Sequence, residues 1–185
     1  MQTDTKLIPL RFAITGPESS GKSTLAEQLA NHFNTHWVPE YARTYLTFLN
    51  RPYVKDDILL IAKRQLQLEE EVAAQTPALL FSDTEMIVIK IWYQHFYGSC
   101  PDWILSAINQ NQYKHYFLTA IDLPWIPDGQ REHPHLRQYF FELFKTEVQK
   151  TGVGFTMIDG NEKARLQKAV VVVENILKKQ NQSLI

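Results

Sequence analysis

The stretch "GPESSGKST", residues 16–24, constrains this chain more than any other part of its sequence. Residues Gly16 to Ser23 fit the pattern G-x-x-x-x-G-K-[ST] without a mismatch. The glycines permit backbone angles that a side chain would forbid, so successive N–H groups can point inward at phosphate oxygens. The apolar run "LRFAIT" before the stretch predicts a strand, and "STLAEQLANHF" after it predicts a helix whose positive N-terminal end would face the same phosphates. The stretch therefore predicts a phosphate loop that binds a nucleoside triphosphate.

The side chains of this loop suggest ATP and Mg²⁺ as cofactors. Lys22 is expected to reach the β- and γ-phosphates, and the Ser23 hydroxyl is expected to ligate Mg²⁺. The other predicted nucleotide contacts in the loop are Gly16, Glu18, Ser19, Ser20, Gly21 and Thr24.

Composition narrows the class of protein. The chain has 185 residues, is 44% hydrophobic and carries a net charge of -1, as expected for one soluble domain without a general attraction to nucleic acid. Its single cysteine excludes an internal disulfide and suits a reducing compartment. The N-terminus lacks the apolar core of a signal peptide, and no apolar run approaches the roughly 20 residues of a membrane span. We therefore predict a cytoplasmic protein with one domain over residues 1–185 and neither nucleic acid nor membrane as partner. Composition leaves a homo-oligomer open.

Strand and helix patterns alternate along the chain. The predicted strands are "LRFAIT", "THWV", "ALLFSD", "YFLTAI" and "GFTMID", with helical patterns between them and after the last. Strands joined by helical crossovers form parallel sheets covered on both faces. We therefore predict a three-layer α/β/α P-loop NTPase fold of the nucleoside or nucleotide kinase type, with a five-stranded parallel sheet. Ligands of such sheets bind at the carboxyl ends of the strands.

Two carboxylates follow predicted strands at this edge. Asp83 closes the apolar run "LLFSD", the Walker B pattern, and would help to hold Mg²⁺ against Ser23. Its alternative role is to cap the next helix, although Thr84 could do so equally well. Glu40 follows the second strand and could accept a proton from a hydroxyl group, or could be a solvated loop carboxylate. We expect Glu40 to be the catalytic base, with Asp83 as the alternative.

The loop "TAIDLPWIPDGQREHPHLRQYF" follows the fourth strand. Its prolines and its "PDG" turn predict a lid over about residues 122–137 that carries Arg131 and Arg137. Phosphoryl transfer requires cations near the developing charge and exclusion of water, both of which such a lid can supply. The alternative is a surface loop with solvated arginines. Trp125 fits equally well a platform for an aromatic substrate ring and a plug that packs the lid onto the core.

The fifth strand ends in "MIDGNEKAR". Gly160 and Asn161 are candidate contacts to the nucleotide base, because this loop passes the adenine ring in many phosphate-loop kinases. The alternative is a simple turn followed by a helix N-cap.

These motifs together resemble one known family. The stretches "GPESSGKSTLAEQLA", "VPEYAR", "FSDTEMIVIKIW", "YG" and "IDLPWIPDGQRE" follow in the order seen in NadR-type ribosylnicotinamide kinases. The resemblance implies a kinase that uses ATP and Mg²⁺ to phosphorylate the 5′-hydroxyl of nicotinamide riboside, giving nicotinamide mononucleotide. It implies that Lys22 and Ser23 contact ATP and metal, that Asp83 contacts the metal, and that Glu40 and Trp125 lie on the riboside side.

The chain departs from this family in one respect. In the multifunctional members, a DNA-binding helix-turn-helix and a nucleotidyltransferase domain precede the kinase. Only about ten residues precede the first predicted strand here. We therefore expect a stand-alone kinase domain without those activities.

The charge of the acceptor gives a separate argument. Nicotinamide riboside carries a positive ring, so its pocket should be aromatic and neutral or acidic. The predicted acceptor contacts are Glu40, Tyr41, Arg43, Asp83, Trp125 and Asp128, and the same segments also contain Glu85, Trp92, Tyr93 and Tyr97. A nucleoside monophosphate would instead require arginines for its phosphate, for which Arg43 and Arg64 are available.

Other function classes stay open or are excluded by missing segments. A GTPase would carry an N-K-x-D segment where "TAIDLPW" stands, and a transporter-type ATPase would carry L-S-G-G-Q. The remaining alternatives are a kinase for another nucleoside or a nucleoside monophosphate, and an ATPase or nucleotide sensor that transfers no phosphoryl group.

Overall fold

Five parallel strands form the centre of the molecule. The computed structural model describes residues 9–75, 78–110 and 113–182. The strands are Leu10–Thr15 (β1), His36–Val38 (β2), Leu79–Asp83 (β3), Tyr113–Thr119 (β4) and Phe155–Ile158 (β5). They lie in the order β2-β3-β1-β4-β5, so β1 is central and its neighbours β3 and β4 come from later in the chain. The predicted five-stranded parallel sheet is confirmed, and β4 begins three residues before its predicted start.

Helices cover both faces of this sheet. Within the described ranges they are Lys22–His32 (α1), Tyr41–Phe48 (α2), Lys55–Ala73 (α3), Met86–Tyr97 (α4), Asp102–Asn109 (α5), Arg137–Lys150 (α6) and Glu162–Gln182 (α7). One helical pattern of the sequence, "PDWILSAINQNQ" over residues 101–112, predicts a helix that is confirmed as α5, and the last two positions of this pattern lie outside the described residues. Among the described helices, none has the length and apolar character required to cross a membrane.

The core follows from the alternation of side chains along β1. Phe12 and Ile14 point to one face of the sheet and pack in a cluster with residues of α1 and α7, whereas Ala13 points to the other face, towards α4 and α6. All three are fully buried. A central parallel strand buries both of its faces in this way, which explains why consecutive residues of "LRFAIT", Phe12 to Ile14, are all apolar. The three-layer α/β/α arrangement is therefore confirmed.

Helix α2 was not predicted. The sequence indicates "EYAR" as the exit of the second strand, and the aromatic and β-branched residues of "EYARTYLTF" have weak intrinsic helix propensity. The structure begins a helix at Tyr41, directly after Glu40, and buries Ala42 against a cluster that includes Ile58 of α3. Tertiary packing therefore decides the local structure here, and it places Glu40 at a helix N-terminus.

Asp57 joins α2 to the start of α3. Its carboxylate accepts hydrogen bonds from the Arg51 guanidinium at 2.6 and 2.8 Å, from the Tyr45 hydroxyl at 2.7 Å and from the Val54 N–H at 2.7 Å. Of these groups, the Arg51 guanidinium contributes most to holding the pKa of Asp57 well below its usual range. Asp57 therefore stabilises the folded chain in its ionised form.

We predict that Asp57→Asn lowers stability at neutral pH and weakens its acid dependence. A depressed carboxyl pKa contributes stability above about pH 4, and this contribution is lost as the pH falls through the folded-state value. The urea midpoint of the unsubstituted chain should therefore fall between pH 5 and pH 3 by more than that of the variant. Asp56→Asn, which removes the same charge from an exposed position, is the matched control. Equal acid dependence in Asp57→Asn and the unsubstituted chain would contradict this account.

Candidate active site

The phosphate loop connects β1 to α1 and is shaped by Thr119 at the end of β4. Gly16 has a φ of 137°, and a Cβ atom there would lie 2.5 Å from the Thr119 Oγ1 atom, so only glycine fits. Ser20 is buried, and its hydroxyl lies 2.6 Å from the Pro17 carbonyl and 2.6 Å from the Thr119 hydroxyl. The conformation of the loop is therefore stabilised by contacts within its own backbone and by contacts with Thr119 of β4.

The concave side of the loop opens into a cavity, which we call the phosphate cavity. Its lining residues are Ser19, Ser20, Gly21, Lys22, Ser23, Thr24, Glu40, Arg43 and Arg131. The Lys22 Nζ atom donates to the Pro17 carbonyl at 2.9 Å, so the ammonium group is held at the loop. The cavity thus combines backbone donors, a lysine and two arginines, as expected for a triphosphate.

Asp83 lies at the end of β3, beside the start of α1. Asp83 is 1% exposed, lies close enough to the Ser23 side chain for that group to stabilise its charged form, and has a buried Oδ1 atom without a hydrogen-bond partner among the described residues. Burial, and then the charge of Glu40, raise the pKa of Asp83 to about 6. Asp83 and Ser23 are therefore adjacent, as the Walker B interpretation requires.

The capping alternative for Asp83 is decided by the backbone after β3. Thr84 has a φ of 75°, a strained backbone conformation for a β-branched residue. The residue after it, Glu85, is the N-cap of α4. The Glu85 carboxylate accepts the Ile87 N–H at 2.7 Å, so neither Asp83 nor Thr84 is the cap. Burial raises the pKa of Glu85 to about 7.

Glu40 belongs to a network of charged side chains that leads to the lid. The Arg43 Nε atom lies 3.2 Å from a Glu40 carboxylate oxygen, and its Nη1 atom donates to Asp128 at 2.8 Å. The same Asp128 oxygen lies 3.0 Å from the Arg131 Nε atom. Asp128, predicted as an acceptor contact, therefore binds two arginines in this structure.

A second cavity adjoins the phosphate cavity, and we call it the acceptor cavity. It lies between the phosphate loop, α2, α4, α6 and the lid. Its aromatic lining residues are Tyr53, Trp92, His95, Phe96, His133, Phe140 and Phe144, and its acidic lining residues are Glu18, Glu40 and Glu132. Its basic lining residues are Lys22, Arg43 and Arg131. The wall is therefore aromatic and carries charges of both signs, and its aromatic faces and carboxylates could contact a cationic acceptor.

The lining of this cavity differs in part from the predicted set. Trp92 belongs to it, whereas Tyr41 and Trp125 are not among the described residues that line either cavity. Tyr41 packs against Tyr45 with ring centroids 6.0 Å apart, and the Arg137 guanidinium lies 5.7 Å from the Trp125 ring centroid. The sequence did not indicate Tyr53, Phe96, Glu132 or Phe140 as lining residues, because they come from separate segments that only the fold brings together.

The lid lies over the phosphate loop and is attached to it by hydrogen bonds. The Ser19 hydroxyl accepts the Ile126 N–H at 3.0 Å, and a Glu18 oxygen accepts the Glu132 N–H at 3.1 Å. Burial raises the pKa of Glu18. The Arg137 Nη2 atom donates to the Ser19 carbonyl at 3.2 Å. Arg131 lines the phosphate cavity, whereas Arg137 is not among the described residues that line it.

The predicted base contact at the end of β5 has a structural role. The Asn161 Oδ1 atom accepts the Ala164 N–H at 3.0 Å and so caps the start of α7. Gly160 has a φ of 93°, and its N–H donates to Asp122 at 2.6 Å. The turn and the N-cap named as the alternative are therefore present, and a base contact by Asn161 stays a prediction.

We predict that Glu18→Ala loosens the lid while leaving the sheet intact. The change removes the charged acceptor of the Glu132 N–H, so amide exchange in residues 126–133 should become about tenfold faster. Hydrogen–deuterium exchange followed by mass spectrometry measures this rate. Glu27→Ala, on the exposed face of α1, should not change it. Unchanged exchange in Glu18→Ala would mean that other contacts hold the lid.

Comparison with known proteins extends these observations. The trifunctional NAD biosynthesis/regulator protein NadR of Escherichia coli (strain K12) is 26% identical over 175 residues, covering 91% of this chain and 43% of NadR. NadR of Salmonella typhimurium gives the same identity and coverage. The chain therefore spans less than half the length of these curated relatives, and the predicted resemblance to NadR is confirmed.

Solved structures and a family model agree with the fold. The crystal structure of NadR in complex with NR matches with a TM-score of 0.79 and 21% identity, covering 91% of this chain and 51% of that one. Thymidylate kinase from Candida albicans matches with a TM-score of 0.65 and 12% identity, covering 94% and 92% of the two chains. Residues 11–165 match a family model described as an AAA domain. The chain belongs to this AAA domain family.

Proposed function

We propose that this chain is an ATP- and Mg²⁺-dependent kinase that phosphorylates the 5′-hydroxyl of nicotinamide riboside to give nicotinamide mononucleotide. The main observation in its favour is that the phosphate cavity adjoins an acceptor cavity whose wall is aromatic and contains carboxylates. The two cavities share the lining residues Lys22, Glu40, Arg43 and Arg131. The similarity to NadR, one structure of which contains NR, supports the same acceptor. We further propose that residues 1–185 act as one kinase domain in the cytoplasm.

The donor side is proposed to bind ATP with Mg²⁺. Another NadR structure, which matches with a TM-score of 0.76 and 20% identity, contains NAD and AMP-PNP. Among the described residues, no group of three or more His, Cys, Asp or Glu side chains could hold a metal ion. Mg²⁺ in kinases, however, is bound by one or two protein oxygens together with phosphates and water. The unpartnered Oδ1 atom of Asp83 and the adjacent Ser23 hydroxyl fit this requirement, and the ion would offset charge on the phosphates.

The arginines favour a nucleoside over a nucleoside monophosphate as acceptor. Arg43 lines the acceptor cavity, but its guanidinium already forms ion pairs with Glu40 and Asp128. Arg64 pairs with Glu71 at 2.6 Å and is not among the described residues that line the cavity. A phosphate on the acceptor would therefore have to displace carboxylates, whereas a positive ring would meet aromatic faces and acidic side chains.

Glu40 is proposed to act as the base. It lines both cavities, and its ion pair with Arg43 fixes the carboxylate near their boundary. From that position Glu40 can orient the ribose hydroxyl and accept its proton as the hydroxyl attacks the γ-phosphate in line. Lys22 and Arg131 would stabilise charge on the transferred group, and the docked lid would exclude water.

The experiment that tests this proposal is ADP release with ATP and Mg²⁺ across a panel of acceptors. The panel contains nicotinamide riboside, common nucleosides and deoxynucleosides, their monophosphates, and water alone. We expect strong stimulation by nicotinamide riboside, and none in Lys22→Ala, which lacks the cation of the phosphate loop.

The other outcomes of the panel separate the alternatives. Stimulation by a monophosphate would overturn the proposed acceptor and require Arg43 to release its carboxylates. Release of ADP without dependence on any acceptor would identify an ATPase. Binding of ATP without release would identify a nucleotide sensor.

We predict that Glu40→Gln lowers kcat by a factor of about 10² to 10⁴ and changes the KM for ATP little, because general bases contribute on this scale. Steady-state kinetics with the best acceptor of the panel measures both constants. Glu71→Gln, a carboxylate paired with Arg64 on the surface, is the matched control. A kcat in Glu40→Gln equal to that of the control would transfer the role of base to Asp83.

A further inference from the structure

Arg165 of α7 is a buried arginine to which the sequence assigned no role. The residue is 3% exposed. Its guanidinium donates to the Gly160 carbonyl at 2.7 Å, to the Ser20 carbonyl at 2.8 Å and to the Ala120 carbonyl at 3.3 Å. It also forms an ion pair with Asp122. One side chain therefore bonds to the phosphate loop, the end of β4, the base of the lid and the turn after β5.

Packing alone does not explain an arginine at this position. A buried charge is costly unless it is paired and hydrogen-bonded, and an apolar residue of similar size would attach α7 to the core as Val173 does. A guanidinium differs from such a residue because it offers five donors in a rigid, planar fork. Its bonds to several backbone carbonyls fix the orientation of those peptide groups.

The bond to the Ser20 carbonyl has a consequence for the next residue. The described part of the chain contains no cis peptide bond, and in a planar trans peptide the C=O and the following N–H point in opposite directions. The Ser20 oxygen faces Arg165, which is not among the described residues that line the phosphate cavity, so the Gly21 N–H points away from Arg165. Gly21 does line the phosphate cavity. Gly21 itself has a φ of 82°, which few other residues tolerate.

Arg137 orients the preceding peptide group, between Ser19 and Ser20, by a similar hydrogen bond. It donates to the Ser19 carbonyl at 3.2 Å, and this directs the Ser20 N–H away from Arg137. Arg137 reaches the loop beside the lid, whereas Arg165 reaches it from α7. The two arginines thus hold consecutive carbonyls of the loop.

We propose that Arg165 is a positioning residue for phosphate binding: it holds the Ser20 carbonyl outside the loop and thereby aims the Gly21 N–H at a bound phosphate. The inference rests on the nucleotide-binding half of the proposed function and does not depend on the identity of the acceptor. A preorganised N–H group binds an anion without the cost of reorienting the peptide at the moment of binding.

The test measures the Kd of inorganic tripolyphosphate, a probe that has neither base nor ribose, by calorimetry. Arg165→Gln removes the fork, and we expect it to weaken binding by about tenfold or more, the scale of a hydrogen bond to a charged group. Arg165→Lys keeps the charge but cannot reach the same set of carbonyls, so we expect a smaller loss of affinity. It also carries the test if Arg165→Gln does not fold.

Arg11→Gln is the matched control. Arg11 is also buried, at 7% exposure, but its partners are Glu69 and Glu70. It is the second residue of β1 and therefore lies at the end of the sheet opposite to the phosphate loop. The control should lower the urea midpoint and leave the Kd unchanged, so loss of stability alone would not imitate the expected effect.

The remaining outcomes overturn the proposal in distinguishable ways. A folded Arg165→Gln variant, verified by circular dichroism, that binds tripolyphosphate like the unsubstituted chain would overturn it. So would an equal loss in Arg11→Gln, or failure of both Arg165 variants to fold, which would make Arg165 a folding residue. If the unsubstituted chain did not bind tripolyphosphate, both the proposed nucleotide site and this inference would be overturned. Lack of stimulation by nicotinamide riboside would leave the inference unaffected.

Discussion

The close contact between the phosphate loop and the end of β4 is the constraint on which the rest of the site depends. The Thr119 hydroxyl donates to the Thr15 carbonyl at 3.1 Å and lies 2.6 Å from the Ser20 hydroxyl, so it ties the loop to the strands on which it is built. Gly16 passes so close to Thr119 that no side chain fits there. Because β1 lies between β3 and β4, this contact also sets the distance from the loop to Asp83 on one side and to the lid on the other.

The charges of the site are already paired in the structure, and this pairing indicates how the site could select its ligands. Arg43 lies between Glu40 and Asp128, and Asp128 also binds Arg131. The charges of Arg43 and Arg131 are therefore paired with carboxylates, whereas Glu18 and Glu132 line, together with Lys22, a cavity with aromatic walls. A cationic nucleoside fits this balance of charge better than an anionic one, which is the physical basis of the proposed acceptor.

The accuracy of the sequence-based predictions differs between the parts of the site. Short, local signals were sufficient to predict the positions of the phosphate loop, of Asp83 at the end of an apolar strand, and of Arg131 on the segment after β4, whereas the roles of Asp83 and Arg131 stay predictions. Residues whose position depends on distant packing were missed or placed only approximately. Helix α2 forms from a segment of weak helix propensity because Ala42 packs against α3. The lid was predicted to bring Arg131 and Arg137 near the developing charge, yet Arg137 donates to the Ser19 carbonyl and is not among the described residues that line the phosphate cavity. Its contact with phosphate stays a prediction.

The sequence by itself determined the parallel α/β sheet, the phosphate loop and the edge of the sheet at which the ligands should bind. These features follow from spacing and periodicity, which are properties of short segments. Only the tertiary structure decided which side chains form the wall of the acceptor cavity, that Glu18 holds the lid, and that Arg165 holds the loop. Arg165 and Ser20 are 145 residues apart in the chain and meet through a hydrogen bond of 2.8 Å. No local pattern encodes such a contact, because it depends on how α7 packs against the sheet after the whole domain has folded.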